Sequence, residues 1–168
     1  MHDELTKVDI KKMQEEIDYR KTELLPKLKE RLKQARELGD LSENDEYHSA
    51  KRELGRNNSR IEYLQQMIDT AIIVESGSKR AGVIGLFDKV TLYMEDDDEE
   101  MTITLVTTLR QDSLNGFISK ESPLGKAVMG KKVGDRAIVV VNENCSYYVT
   151  IRAVEKGQDD ESLNISSF

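Results

Sequence analysis

The sequence predicts a molecule in two parts: a long antiparallel two-helix coiled-coil hairpin, then a small α+β domain built on a sheet with one short helix. Three observations carry this expectation. Apolar residues recur at helical spacing for roughly thirty residues on either side of a short acidic corner, Gly39-Asp40-Leu41-Ser42-Glu43-Asn44. The segment Glu75-Ser76-Gly77-Ser78-Lys79-Arg80-Ala81-Gly82 is small and polar, and beyond it the period shortens to alternation every second residue. Residues 1–74 are therefore read as the hairpin with its acidic tip at 39–44, 75–82 as a linker, 83–157 as the sheet domain and 158–168 as an acidic, flexible tail.

The ascending helix carries Ile10, Met13, Ile17, Leu24, Leu28, Leu32, Ala35 and Leu38 on one seam. Pro26 interrupts it and either kinks the helix or begins a new segment, because proline lacks the amide donor and clashes with the preceding turn. Gly39 stands at a helix C-terminus, where the chain reverses. The descending helix carries Tyr47, Ala50, Leu54, Ile61, Leu64, Ile68 and Ala71, with Asn57 breaking the seam. At 1.5 Å per residue such helices make a rod on the order of 45 Å long, with two carboxylates at its apex.

In the sheet domain, Lys89–Tyr93, Thr102–Val106, Arg136–Val141 and Tyr147–Ile151 read as strands. The acidic run Glu95–Glu100 between the first two reads as a solvated hairpin loop; it lacks the alternating ligands and glycine of a calcium loop. Ser122 caps a short helix that Pro123 begins and Gly130 ends. One helix on a sheet gives an α+β module.

Composition fits a soluble intracellular protein. The chain has 168 residues, 34% of them charged and 38% hydrophobic, with no apolar run long enough for a bilayer and no signal-peptide pattern at Met1-His2-Asp3-Glu4. Cys145 is alone, so neither an internal disulfide nor a cysteine zinc site is available, and it is expected to be buried or half-buried. The net charge of -7 argues against general coating of nucleic acid, which needs excess Lys and Arg. Locally the balance reverses: Arg20, Lys21, Lys27, Lys29, Arg31, Lys33 and Arg36, with Lys51, Arg52, Arg56 and Arg60 opposite, make the upper rod basic behind an acidic tip.

Two ordered motifs carry a family resemblance. Ala35-Arg36-Glu37-Leu38-Gly39-Asp40-Leu41-Ser42-Glu43-Asn44-Asp45-Glu46-Tyr47-His48-Ser49-Ala50-Lys51 resembles the signature of the bacterial Gre transcript cleavage factors, on the GreA side of that family. Ile118-Ser119-Lys120-Glu121-Ser122-Pro123-Leu124-Gly125-Lys126-Ala127, followed by Gly130-Lys131-Lys132-Val133-Gly134-Asp135, resembles its second signature. The likeness covers roughly residues 5 to 156. It implies an antiparallel coiled coil joined to an FKBP-like domain, in a cytoplasmic, monomeric regulator of transcription elongation with no membrane association. It implies RNA polymerase as partner, DNA binding in that setting, and a coiled coil reaching through the secondary channel to the 3′ end of backtracked RNA.

By motif match, Asp40 and Glu43 are the tip pair that the family uses to help hold a second magnesium ion. Magnesium demands oxygen ligands and keeps several waters, so two carboxylates reach one ion but cannot complete its shell. The remaining ligands come from the polymerase, the RNA and water, and the cleavage is two-metal phosphodiester hydrolysis by the polymerase. The resemblance thus implies a stimulator rather than an enzyme, with magnesium shared and not stably bound to the isolated chain. Arg36, Lys51 and Arg52 are candidates for contact with RNA, and Glu121, Ser122 and Pro123 for docking on the polymerase.

Other tip residues have simpler readings. Ser42 or Asn44 either positions water or caps the returning helix, Asp45 and Glu46 favour its N-terminal dipole, Tyr47 packs on the seam and His48 lies on the surface. The sequence departs from the family in lacking a glycine after Leu5-Thr6 and a proline and glycine in Asn142-Glu143-Asn144-Cys145-Ser146. Two alternatives stay open: a Gre-like channel binder that inhibits polymerase, and an FKBP-like prolyl isomerase with a coiled-coil arm. The second wants an aromatic pocket, and the chain has no Trp and only three Phe.

Overall fold

The computed structural model describes residues 3–39, 42–75 and 81–167. They form two compact units, one of Ile10–Ala71 with Asp3, the other of Glu4–Asp9 together with Ile72–Ser167.

Helix α1 (Lys7–Tyr19), which enters the first unit at Ile10, passes through a π-helical turn (Arg20–Leu24) into α2 (Leu25–Glu37), and α3 (Asp45–Thr70) returns beside α2. Pro26 explains the wide turn. It cannot donate to the carbonyl of Thr22 and its ring would crowd that group, so the preceding turn opens and Leu25 N–H reaches back to Arg20 O. Met13, Ile17, Leu28 and Ala35 on one arm and Ala50 and Leu64 on the other are buried as the periodicity predicts. Leu38 is not: it is 72% exposed at the C-terminal end of α2.

The break at Asn57 has a physical reason. Arg20 Nη1 donates to Asn57 Oδ1 at 3.0 Å, while Glu16 accepts from Arg60 Nε at 2.7 Å, Arg60 Nη2 at 3.2 Å and Arg20 Nε at 2.9 Å. Beside the π turn, a polar layer replaces the apolar seam.

The second unit is a five-stranded mixed sheet in the order β5-β4-β3-β7-β6, with β3 at Lys89–Met94, β4 at Glu99–Val106, β5 at Phe117–Ser119, β6 at Arg136–Asn142 and β7 at Cys145–Glu155. Only the β4–β5 pair is parallel. Val90, Leu92, Ile103, Leu105, Val149 and Ile151 alternate inward, and helix α4 (Pro123–Val128) covers them with Leu124 and Val128. Ser122 caps α4 as expected, its Oγ accepting from Gly125 N–H at 3.0 Å. A separate parallel pair joins β1 (Glu4–Leu5) to β2 (Ile72–Ile73).

Several expectations need correction. All four expected strands form and run longer, but β5 and the β1–β2 pair were not anticipated. Residues Glu4–Asp9 group with the sheet unit, not the hairpin. Cys145 is exposed, because it starts β7 just after the two-residue turn. The tail is anchored at several points. Asp159 Oδ2 accepts from Thr6 Oγ1 at 2.6 Å, Asp160 O accepts from Arg110 Nη1 at 3.1 Å, Ser166 Oγ donates to Leu109 O at 2.8 Å, and Leu163 packs with Leu86, Phe87 and Val106. Within the expected linker, residues 76–80 lie outside the described residues.

Candidate functional site

The apex is built by helix-end chemistry. α2 ends at Glu37 with Leu38 as its C-cap, and Gly39 follows with φ of 123°, a left-handed-side conformation that glycine adopts without a Cβ penalty. Asn44 then serves both arms. Its Oδ1 accepts from Tyr47 N–H at 3.0 Å, capping α3, and its Nδ2 donates to Ala35 O at 2.6 Å, satisfying a carbonyl at the end of α2. Of the two readings offered for Asn44, capping is the one its geometry fits. Asp45 and Glu46 occupy the first turn of α3, where the helix dipole favours negative charge.

Glu43 is exposed and makes no ion pair or hydrogen bond with the described residues. Asp40, its expected partner, lies outside the described residues, as does Leu41. Among the described residues no three His, Cys, Asp or Glu side chains gather to hold a metal ion.

The cations behind the apex divide into two sets. Arg31 is engaged by Glu53 at 2.5 Å and lies 3.8 Å from Glu46, and Arg20 and Arg60 both hold Glu16. Burial pushes the Glu16 pKa up, but the bonds from Arg60 and Arg20 outweigh it and hold the carboxyl below its ordinary value. Arg36, Lys51 and Arg52, by contrast, are exposed and make no ion pair with the described residues. Arg36 lies over the Tyr47 ring, 5.7 Å from its centre, and His48 meets that ring edge-on at 5.3 Å. Tyr47 is thus half-buried under a cation.

On the sheet unit, Glu121 and Pro123 are exposed and Ser122 is half-buried. Ser119 organises them: its Oγ accepts from Glu121 N–H at 3.1 Å and its carbonyl from Ser122 Oγ at 2.7 Å. Beside them an open groove of about 640 Å³ is lined by Ile84, Leu86 and Met129, with Lys120, Glu121 and Lys126 at its polar side. Three members of the acidic run are held by other side chains. Glu95 takes Arg136 in a forked pair at 2.9 and 2.8 Å, Glu100 pairs with Arg152 at 3.2 Å, and Asp98 accepts from the Tyr93 hydroxyl.

A buried cluster escaped sequence reasoning. Arg110, with no exposed side-chain surface, donates through Nε to Asp9 Oδ1 at 2.8 Å, and its Nη1 lies 2.8 Å from Asp159 Oδ1 as an electrostatic contact outside hydrogen-bonding angles. Asp9 also caps the start of α1, its Oδ2 accepting from Thr6 N–H at 3.0 Å while Thr6 Oγ1 accepts from Asp9 N–H at 3.3 Å. That reciprocal box was visible as Thr6-Lys7-Val8-Asp9; the burial of Arg110 had no local signal.

The family profile for the N-terminal part of transcription elongation factors GreA/GreB matches residues 4–73, and that for the GreA/GreB C-terminal part matches residues 79–156. Transcription elongation factor GreA of Oenococcus oeni is 38% identical over 154 residues, spanning 92% of this chain and 95% of that protein. The GreA of Thermosipho africanus is 43% identical over 131 residues, 78% of this chain and 83% of that one. Among solved structures, the transcription factor Gfh1 aligns over 92% of this chain and 97% of that one at 26% identity, with a TM-score of 0.45. No helix of the described residues is long and apolar enough to cross a membrane. Two family profiles in order along nearly the whole sequence, with relatives that align over most of their own length, place the chain in the GreA/GreB family of transcription elongation factors.

Proposed function

We propose that this elongation factor binds RNA polymerase in the cytoplasm, extends its helical apex into the secondary channel and stimulates the polymerase's own cleavage of backtracked RNA. The observation that carries the reading is the exposed Glu43, with no ion pair or hydrogen bond among the described residues, beside Asn44, which bonds to both α2 and α3. A solvent-open carboxylate is the donor type that a hard divalent cation takes, and a shell left incomplete suits an ion shared with a second protein. Asp40 and Glu43 would hold magnesium jointly with polymerase carboxylates. When bound, that ion supplies charge neutralisation at the phosphate and a more acidic attacking water.

The chain's own residues orient the reaction. Gly39 and Asn44 fix where the Glu43 carboxylate starts from, so less conformational freedom is lost when it engages. Arg36, Lys51 and Arg52 attract the extruded 3′ segment through its phosphates, adding affinity without reading sequence. Glu121, Ser122 and Pro123 dock at the rim of the channel, beside an apolar groove sized for a partner's side chains. We read the sheet unit as an FKBP-like docking module and the helical unit as a coiled coil acting as one copy per polymerase, next to DNA only through that complex. Neither the inhibitor reading nor the isomerase reading gains from any observation of the site.

The test is a backtracked polymerase complex with labelled RNA in magnesium. Wild type is expected to release short 3′ fragments, while Asp40→Asn and Glu43→Gln lose cleavage by at least tenfold and still bind polymerase. Normal cleavage by both variants would refute the metal role, and RNA cleavage without polymerase would refute the shared site.

A further inference from the structure

Strand β6 is an open edge. The sheet ends in β5 on one side and β6 on the other; β5 has three residues, whereas β6 has seven, Arg136-Ala137-Ile138-Val139-Val140-Val141-Asn142. Among the described residues, β7 is the only strand paired with it, and α4 shares the core with its inward residues Ala137 and Val139. Proteins commonly guard such edges with lysine, proline, shortness or a bulge. From Ala137 to Val140 this strand has none of these, and the register slip with β7 falls only at its far end, between Val140 and Asn142.

The outward side is apolar as well as unpaired. Ile138 is 47% exposed and Val140 56%, Tyr148, directly opposite Ile138 on β7, is 40% exposed, and Val141, at the register slip, is 48% exposed. An exposed apolar strip along an open ladder is a template for one more strand.

The strand's own sequence selects the partner. About Val139 its regular stretch is self-complementary: in an antiparallel pairing on a two-fold axis there, Ile138 of one copy faces Val140 of the other on the outward side and Val139 faces Val139, while Arg136 comes toward the partner copy's Asn142 and Glu143, beyond the register slip. Apolar meets apolar, and the basic end of one strand meets the acidic end of the other. In-register parallel pairing would instead set Arg136 beside Arg136 and Glu143 beside Glu143. Arg136 is already fixed at its end of the strand by the fork to Glu95 and by stacking 3.7 Å from the Tyr148 ring centre. We propose that β6 is a self-association surface on which a second copy of this chain pairs antiparallel about Val139, joining the two sheets edge to edge. The monomer expected from the sequence is then the dilute form.

Sedimentation velocity from low to several hundred micromolar, without polymerase, tests this on wild type, Ile138→Lys, Val140→Lys, Glu143→Lys and the control Leu114→Lys. Leu114 is 99% exposed and lies before β5, at the opposite sheet edge. Wild type and the control should rise from the 19.2 kDa of one chain toward twice that mass. The two β6 lysine variants should remain at one-chain mass with wild-type circular dichroism, and Glu143→Lys should need at least tenfold higher concentration to associate. A wild type that stays at one-chain mass overturns the proposal. So do β6 variants that associate like wild type, or growth past two chains without limit. If wild type stays single while Val140→Lys loses polymerase binding, the edge serves the polymerase and self-pairing is overturned.

Discussion

Arg110 shows how one side chain organises residues far apart in sequence. Its guanidinium is fully buried against Asp9 and Asp159, with the Phe87 ring centre 5.5 Å away. Removing one partner of a buried ion pair strands the other charge, so Arg110→Met should lower the stability of the sheet unit by about 3–5 kcal/mol in urea unfolding. A loss under about 1 kcal/mol would show that water already compensates the two carboxylates. Glu16 makes a pH prediction with a definite sign. Its folded pKa lies below its unfolded value, so its contribution is complete at neutral pH and is lost as pH falls through the ordinary glutamate value of about 4.5 and then the folded one. Helical melting should weaken on acidification across that window, and Glu16→Gln should weaken it at pH 7 while flattening the pH dependence. Equal slopes for variant and wild type would assign the acid effect to other carboxylates. At this scale the sequence was legible where chemistry is local, as at the Ser122 cap. It was silent where partners are distant: nothing around Arg110 announces Asp9, 101 residues away.

The apex and the short helix are decided by how elements end. Asn44→Ala removes both the cap of α3 and the bond to Ala35 O, so the hairpin should lose about 1–2 kcal/mol and melt at lower temperature. Asn44→Asp keeps the acceptor and loses the donor, and its melting temperature should fall between the two. If both variants melt like wild type, the apex is held by other contacts. Gly125 decides the approach of α4 to β5. A Cβ there would stand 2.1 Å from Ser119 O and 2.8 Å from Lys120 Cα, so Gly125→Ala must displace the segment that carries Glu121, Ser122 and Pro123. Polymerase binding, followed by co-sedimentation, should weaken while helical melting stays unchanged; unaltered binding would remove this segment from the docking surface. The long periodic helices and the four longer strands could be read from pattern. The three-residue β5 could not, because its parallel pairing with β4 leaves no alternation long enough to recognise.

The division into two units was legible as a change of period near residue 75, but its boundary was not. The sheet unit takes Leu5, Thr6 and Asp9 from the start of the chain and Asp159, Leu163 and Ser166 from the tail. A fragment of residues 83–157, the domain as composition outlines it, should therefore unfold at far lower urea than the same unit in the whole chain. Residues 72–168 should fall between them, still missing Asp9. Matching midpoints for all three would mean that these terminal contacts contribute nothing. The contacts described within the hairpin all fall between Ile10 and Ala71. During synthesis it is whole once the chain has passed Ala71, whereas Arg110 emerges with Asp9 already made and must wait for Asp159. Asp9 is thus held in reserve until Asp159 has been added, and the ribosome delivers a finished arm while the sheet unit still waits for its ion pair.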